Sequence, residues 1–223
     1  DGGEMNAITI VPAILRTTFE EIETDWNKVA SAAQYIHVDV IDGVFAGEVG
    51  FLDILQLKEL RTDKIDLHMM VQTPGDYIDE IIELNPARCV FHIEAFTGKL
   101  DLPFVYNTIG EFTSSEMGLA INPETPLEQL EEYLPIVQYV LFMGYKPGIA
   151  NQAINTTVFE KIKTFHEKHP NIRIAADGHV GKDTIGEYTQ AGATILCANT
   201  AIFSGENPIK NMLDLELLAN MVD

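Results

Sequence analysis

A chain of 223 residues, 46% of them hydrophobic, can bury one sizeable core, and its apolar residues run along the whole length, which excludes a disordered chain. Thirty-four acidic against 14 basic residues give a formal net charge of −20, the wrong sign for a nucleic-acid partner or an anionic membrane surface. An anionic small molecule stays open, because helix N-termini or a metal can make a pocket locally positive inside an acidic shell. No apolar run is long enough to span a bilayer, no signal peptide is visible, and the two cysteines, Cys89 and Cys197, each sit inside an apolar run. That usage fits buried thiols in a reducing, cytoplasmic compartment rather than a disulfide framework.

Residues 1–4, Asp-Gly-Gly-Glu ahead of a Met, read as a tag or a disordered N-terminus, and residues 5–223 read as one domain. Eight short apolar runs follow, at residues 7–15, 35–41, 65–70, 89–93, 117–121, 136–143, 172–176 and 194–198. Several are hydrophobic almost throughout, as parallel strands covered by helices must be. Longer amphipathic segments lie between them. Residues 18–32 open on Thr18 and then acidic residues, a helix cap and first turn. Residues 74–84 place Pro74 at the first helical position behind Thr73. Residues 126–134, 157–166 and 182–191 repeat the pattern, while 98–110 is the least legible stretch. Eight strand–helix alternations in one composition regime predict an α/β protein folded as a single closed (β/α)₈ TIM barrel. The competitor, a doubly wound open sheet, would want a glycine-rich turn after the first strand, and there is none.

Polar groups inside apolar strands are costly unless satisfied, which singles out three segments. In YIHVDVIDG, His37 and Asp39 are two apart and share a face with Tyr35 and Ile41. They lie toward the C-terminal end of the strand, where barrel active sites form; alone, they could equally be a hydrogen-bonded interior pair. In IDLHMMV, His68 ends a strand, with Asp66 deeper on the same face and able to orient a ligand. In IRIAADGHV, Asp177 follows a strand directly, as either a turn-forming Asp or a fourth ligand with acid/base capacity. Two imidazoles and two carboxylates make a first-row metal site for zinc, iron, manganese or cobalt. His166 and His169 read as solvated, His92 as interior or supporting, and His179 as facing either the substrate or solvent.

The segments VPAIL (11–15), YIHVDVIDGVF (35–45), IDLHMMVQTPGDYI (65–78), FHIEA (91–95), INPETPLEQL (121–130), VLFMGYKPG (140–148), ADGHV (176–180) and ANTAIF (198–203) resemble the ribulose-phosphate 3-epimerase family in order and spacing over nearly the full length. The resemblance implies a barrel of the ribulose-phosphate-binding type and a metal-dependent isomerase of carbohydrate metabolism. It would interconvert D-ribulose 5-phosphate and D-xylulose 5-phosphate in the pentose phosphate pathway. It implies one divalent ion held by His37, Asp39, His68 and Asp177, with Asp39 and Asp177 as the acid/base pair. It also implies a substrate lined by Met70, Met143, Gly148, Gly178, His179, Asn199 and Thr200, and a homo-oligomer.

Several positions depart from the family pattern. The Ser-Pro-Ser start is Val11-Pro12-Ala13, which removes a hydroxyl at Ala13; the second Gly after Asp177 is His179; the Gly-Ser after the eighth strand is Asn199-Thr200. The glycine-rich loop after the sixth strand begins Lys146-Pro147-Gly148 but continues Ile149-Ala150-Asn151-Gln152, and the loop after the second strand reads Phe45-Ala46-Gly47-Glu48. Glycines in such loops let backbone N–H groups approach a phosphate closely, so the reaction centre is intact while the phosphate grip is altered. Three functions therefore stay open: this epimerase with a divergent grip, an epimerase of another ketose or ketose phosphate, and a barrel that binds a metabolite without turnover.

Overall fold

The computed structural model describes residues 7–98, 101–147 and 153–221. Eight strands, β1 (Thr9–Ile14), β2 (Ile36–Ile41), β3 (Ile65–Met70), β4 (Arg88–His92), β5 (Glu116–Ile121), β6 (Tyr139–Met143), β7 (Arg173–Asp177) and β8 (Ile195–Ala198), form a closed barrel in sequence order. Every pairing is parallel, from β1 with β2 round to β8 with β1. The expected barrel is therefore present, and each apolar run contains its strand to within a residue or a few.

The connecting segments follow the local chemistry unevenly. Helix α1 (Phe19–Val29) starts at Thr18, whose hydroxyl accepts from the Glu21 N–H while the Glu21 carboxylate reaches back, a reciprocal capping box. Residues Pro74–Tyr77 make a 3₁₀ turn leading into α2 (Ile78–Leu84), and α4 (Thr157–Lys168) and α5 (Ile185–Ala191) fall where amphipathic patterns predict them. Residues 126–134 do not form an α-helix. They contain one 3₁₀ turn, Leu127–Gln129, and a second, Leu134–Ile136, follows around Pro135, whose ring and missing N–H stop a longer helix. Conversely, most of the least legible segment, 98–110, falls within α3 (Asp101–Phe112). Its Pro103 sits in the first turn, where no N–H donor is needed, and its interior Gly110 weakens the signal. Between β2 and β3 the described helices are two 3₁₀ segments, Ile54–Glu59 and Thr62–Lys64, and α6 (Thr200–Phe203) and α7 (Pro208–Ala219) follow β8.

Alternation along the strands divides the protein into two cores. Outward residues such as Ile36, Val38 and Val40 of β2 or Leu67 and Met69 of β3 pack beneath the helices. Inward residues, among them Val11, Ala13, Val90, Ala120, Tyr139, Leu141, Met143, Ala175, Ile195 and Cys197, fill the barrel. Toward the N-terminal end the filling is polar: Arg88 is 2% exposed, its guanidinium lies 4.0 Å over the Tyr35 ring, and its Nη2 is 3.1 Å from Asp66 Oδ2. Tyr139 crosses the barrel at this level because Gly118 on the neighbouring strand leaves its ring room. Two surface clefts, about 540 and 330 Å³, lie at that same end, lined by residues such as Ser114, Glu116 and Asn85, away from the C-terminal strand ends where barrel chemistry is done.

A Cβ at Gly118 would overlap the Tyr139 ring. Gly118→Ala is expected to cost about 1–3 kcal/mol through overpacking. In urea this reads as a lower unfolding midpoint at unchanged slope.

Candidate metal and acid/base site

Strand register builds the site. On β2, His37 and Asp39 point inward; across the ladder Asp39 stands opposite His68 and His37 opposite Asp66. Asp177, the last residue of β7, reaches the same cavity from the other side, with Cys197 of β8 as its Cα neighbour. One ligand atom from each of His37, Asp39, His68 and Asp177 lies within 4.8 Å of all the others, so the four residues singled out in the sequence are brought to one point and can hold a metal ion.

The separations fit a small divalent cation. His37 Nε2 is 3.1 Å from His68 Nδ1 and 3.3 Å from Asp39 Oδ1. His68 Nδ1 is 2.7 Å from Asp39 Oδ1, and Asp177 Oδ2 is 3.7 Å from both imidazole nitrogens. Four ligands about 2.0–2.1 Å from a tetrahedral ion stand roughly 3.3 Å apart, within this spread. The outer nitrogens are held as well. His37 Nδ1 is 3.2 Å from Asp66 Oδ2, and His68 Nε2 is 2.8 Å from His92 Nε2. With the outer nitrogen of each ring engaged, Nε2 of His37 and Nδ1 of His68 are the nitrogens that face the centre and that could offer lone pairs to an ion once deprotonated.

The electrostatics favour anionic carboxylates. Burial raises the Asp39 carboxyl, but hydrogen bonds from His37 and His68 outweigh it and leave Asp39 well below the usual carboxylate range. Burial likewise opposes ionisation of Asp66, and the Arg88 guanidinium and His37 bring it down to about 2. For His37, burial disfavours the imidazolium, yet neighbouring Cys197, Asp66, Asp177 and Asp39 raise it well above its ordinary value. Burial pushes the Cys197 thiol up to about 11, so near neutrality it is uncharged and the carboxylates carry the effect. Burial holds His92 below the ordinary imidazole range.

Around this centre the substrate-lining candidates divide. Met70 packs with Ile41 and Ala46, and Met143, whose Cα pairs with Asp177, faces the barrel interior. Gly178 has φ +135°, and a Cβ there would strike the Gly144 backbone at 2.8 Å, so only glycine fits; its carbonyl accepts from the Tyr188 hydroxyl. His179 takes φ +50° at the rim, edge-on to Tyr145 at 5.5 Å. Asn199 turns its amide N–H back onto the Ala13 carbonyl at 2.7 Å, tying the end of β8 to β1, and Thr200 is exposed at the start of α6. Gly148 and residues 149–152 lie outside the described residues.

Other residues of the site escaped the sequence reading. Arg88 and Tyr139 support Asp66, and Cys197 Sγ sits 3.6 Å from His37 Nδ1. A charged residue at the edge of an apolar strand was the available signal for Arg88; nothing local marks Cys197. Asp42, seen only as a motif letter, clamps the loops after β2 and β3 by accepting from the N–H groups of Val44, Phe45 and Gln72. His166 and His169 are half-buried rather than solvated: His166 lies against Gly192, and His169 sits tilted against the Phe165 ring and pairs with Glu131.

Residues 9–203 match the profile of the Ribulose-phosphate 3 epimerase family. The chain is 31% identical over 210 residues to the ribulose-phosphate 3-epimerase of Eremothecium gossypii, covering 87% of this chain and 86% of that one. It is 28% identical to the cytoplasmic isoform of ribulose-phosphate 3-epimerase from Oryza sativa, covering 91% and 90%. Among solved structures it is similar to 3-hexulose-6-phosphate synthase from Salmonella typhimurium, with TM-score 0.71, 12% identity, and 97% and 100% of the two chains covered. It is also similar to orotidine 5'-monophosphate decarboxylase from Sulfolobus solfataricus, with TM-score 0.65, 13% identity and coverage of 96% and 98%. At such identities the structural likenesses speak to the fold alone.

Because the raised His37 carries a proton when the site is empty, an incoming cation must displace it. Metal binding near neutral pH is expected to release about one proton per ion, with affinity rising as pH rises. Calorimetry in two buffers of different ionisation enthalpy measures the release, and a value of zero would contradict the assignment.

Proposed function

The chain belongs to the ribulose-phosphate 3 epimerase family, and from that membership and the site's geometry we propose that it is a metal-dependent isomerase interconverting D-ribulose 5-phosphate and D-xylulose 5-phosphate by proton transfer at C3. One observation carries the reading: two imidazoles and two carboxylates converge at the C-terminal end of the barrel, and the carboxylates are the members that reach solvent. The Asp39 and Asp177 side chains are 10% and 15% exposed, against 1% and 0% for His37 and His68. The histidines are buried holders; the aspartates face whatever enters.

Epimerising a carbon next to a carbonyl requires removal of its proton and return of a proton to the opposite face. A divalent ion held by His37, Asp39, His68 and Asp177 supplies Lewis-acid stabilisation of the negative charge that develops on the substrate oxygens. Asp39, ionised at neutral pH, is in the basic form needed to accept the C3 proton. Asp177 arrives from β7 rather than β2, which supports a role in delivering a proton from the other side, the two exchanging roles when the reaction reverses. Met70 and Met143 offer a pliable apolar wall that competes for no proton. The substrate is a sugar phosphate, and a reducing cytoplasm suits the two buried free cysteines. Among the described residues no helix is long and apolar enough to cross a membrane. The family likeness extends the proposal to a homo-oligomer, which light scattering would read.

A second reading, an epimerase of another ketose, is favoured by the rim. Asn199 spends its amide on Ala13, and His179 puts a ring where the family has a glycine, so backbone approach to a phosphate is restricted. Comparing kcat/KM for D-ribulose 5-phosphate and unphosphorylated D-ribulose separates the two: a large preference for the phosphate supports the first, none supports the second.

In a coupled assay with D-ribulose 5-phosphate, chelation should abolish turnover and added divalent ion restore it. Asp39→Asn and Asp177→Asn should each lower kcat by about 10²–10⁴-fold or more. A metal-loaded chain that epimerises no ketose in a panel would leave a metabolite-binding barrel.

A further inference from the structure

The ion that His68 would hold through Nδ1 needs that nitrogen deprotonated, so the proton of the neutral ring must sit on Nε2. For an imidazole in the interior of a barrel, the usual device is a carboxylate or backbone carbonyl at the far nitrogen. His37 has one in Asp66. The partner of His68 Nε2 is another imidazole nitrogen, His92 Nε2, at 2.8 Å. An imidazole can accept only on the nitrogen that carries no proton. His92 must therefore be protonated on Nδ1 if it is to hold His68 in the ligating tautomer.

His92 is fully buried at the end of β4, its ring 5.0 Å from that of His68 and inclined by 24°. On its other side its ring centre lies 5.0 Å from that of Phe45. Its Nδ1 faces Glu94 Oε2 at 3.4 Å, an ion-pair distance, and both atoms are buried with no hydrogen-bond partner among the described residues. Glu94 is in turn fixed: its other oxygen accepts the Asn122 N–H at 2.7 Å. Carboxylate, imidazole and imidazole thus form one line from the end of β4 to the proposed ion.

We infer that His92 and Glu94 are positioning residues: Glu94 sets the tautomer of His92, and His92 sets that of His68, leaving its Nδ1 lone pair for the metal. The inference rests on the metal-dependent reading above and names groups that touch neither substrate nor ion. It also explains why two buried atoms with no hydrogen-bond partner among the described residues, His92 Nδ1 and Glu94 Oε2, are kept facing each other in the barrel wall.

The chain makes an unusual variant informative. In Glu94→Gln, the Asn122 N–H keeps the side-chain oxygen on its side, so the new amide NH₂ faces His92 Nδ1. His92 must then accept there and carry its proton on Nε2, directly against His68 Nε2–H. Fold and volume are preserved, but the ligating tautomer of His68 is opposed. The test is zinc and cobalt affinity, by competition with a chromophoric chelator, together with the visible spectrum of the cobalt-loaded protein.

Glu94→Gln and His92→Phe should weaken metal binding by about 10–100-fold and alter the cobalt spectrum. His92→Gln, whose carbonyl can accept from His68 Nε2–H, should recover most of the affinity. Unaltered affinity and spectrum in Glu94→Gln would overturn the positioning role while leaving the epimerase reading intact. If Glu94→Gln fails to fold, the comparison of His92→Gln with His92→Phe decides, and equal affinities overturn it. If the unsubstituted protein binds neither metal, the metal-dependent reading falls and the positioning role falls with it.

Discussion

On the metal-dependent reading proposed above, this molecule's chemistry depends on two imidazole lone pairs being aimed at one point inside a closed barrel. Neutral histidine is a ligand only through its bare nitrogen, and either nitrogen can be the bare one. The fold resolves that ambiguity from behind: Asp66 engages the outer nitrogen of His37, and His92 that of His68. Asp66 can do this as an anion because Arg88, buried beneath it, supplies a positive charge. The polar floor of the barrel is thus the support of the site above it. The parallel ladder does the rest, since alternate residues on β2 and β3 point inward and their C-terminal ends meet at one level.

Much of this was legible in the sequence, for definable reasons. A strand that must be hydrophobic advertises any polar residue it contains, so His37, Asp39 and His68 stood out against their neighbours, and Asp177 stood out by ending a strand before a glycine. Family likeness then tied the four together. Arg88 was lost because it lies at the very start of its strand, where a charge reads as the edge of a loop. Cys197 was lost because a thiol in an apolar run looks like filling, and its contact with His37 spans 160 positions of sequence. The helices were less legible than the strands. Pro103 and Gly110 hid α3, and an amphipathic stretch before Pro135 promised a helix that the proline interrupts. Local propensity was overridden in one case by position within the first turn and in the other by ring sterics.

The departures from the family pattern are confined to the rim. The centre keeps the ligand residues and methionines that the resemblance implies, while Ala13, His179 and Asn199 differ where that resemblance would receive a substrate's far end. Asn199 in particular replaces a flexible glycine with a tether to β1. Proton-transfer chemistry and substrate anchoring thus reside in separable parts of the fold, strand ends for the one and the following loops for the other, which is the arrangement that lets barrels vary substrate without rebuilding their catalytic centre.

A second group of potential ligands, His37, Asp66 and Cys197, lies against the same imidazole. X-ray absorption of the zinc-loaded chain distinguishes the two sites directly. Binding by His37, Asp39, His68 and Asp177 predicts a first shell of nitrogen and oxygen only, at about 2.0–2.1 Å. A sulfur scatterer at about 2.3 Å would place the ion on Cys197 and contradict the account.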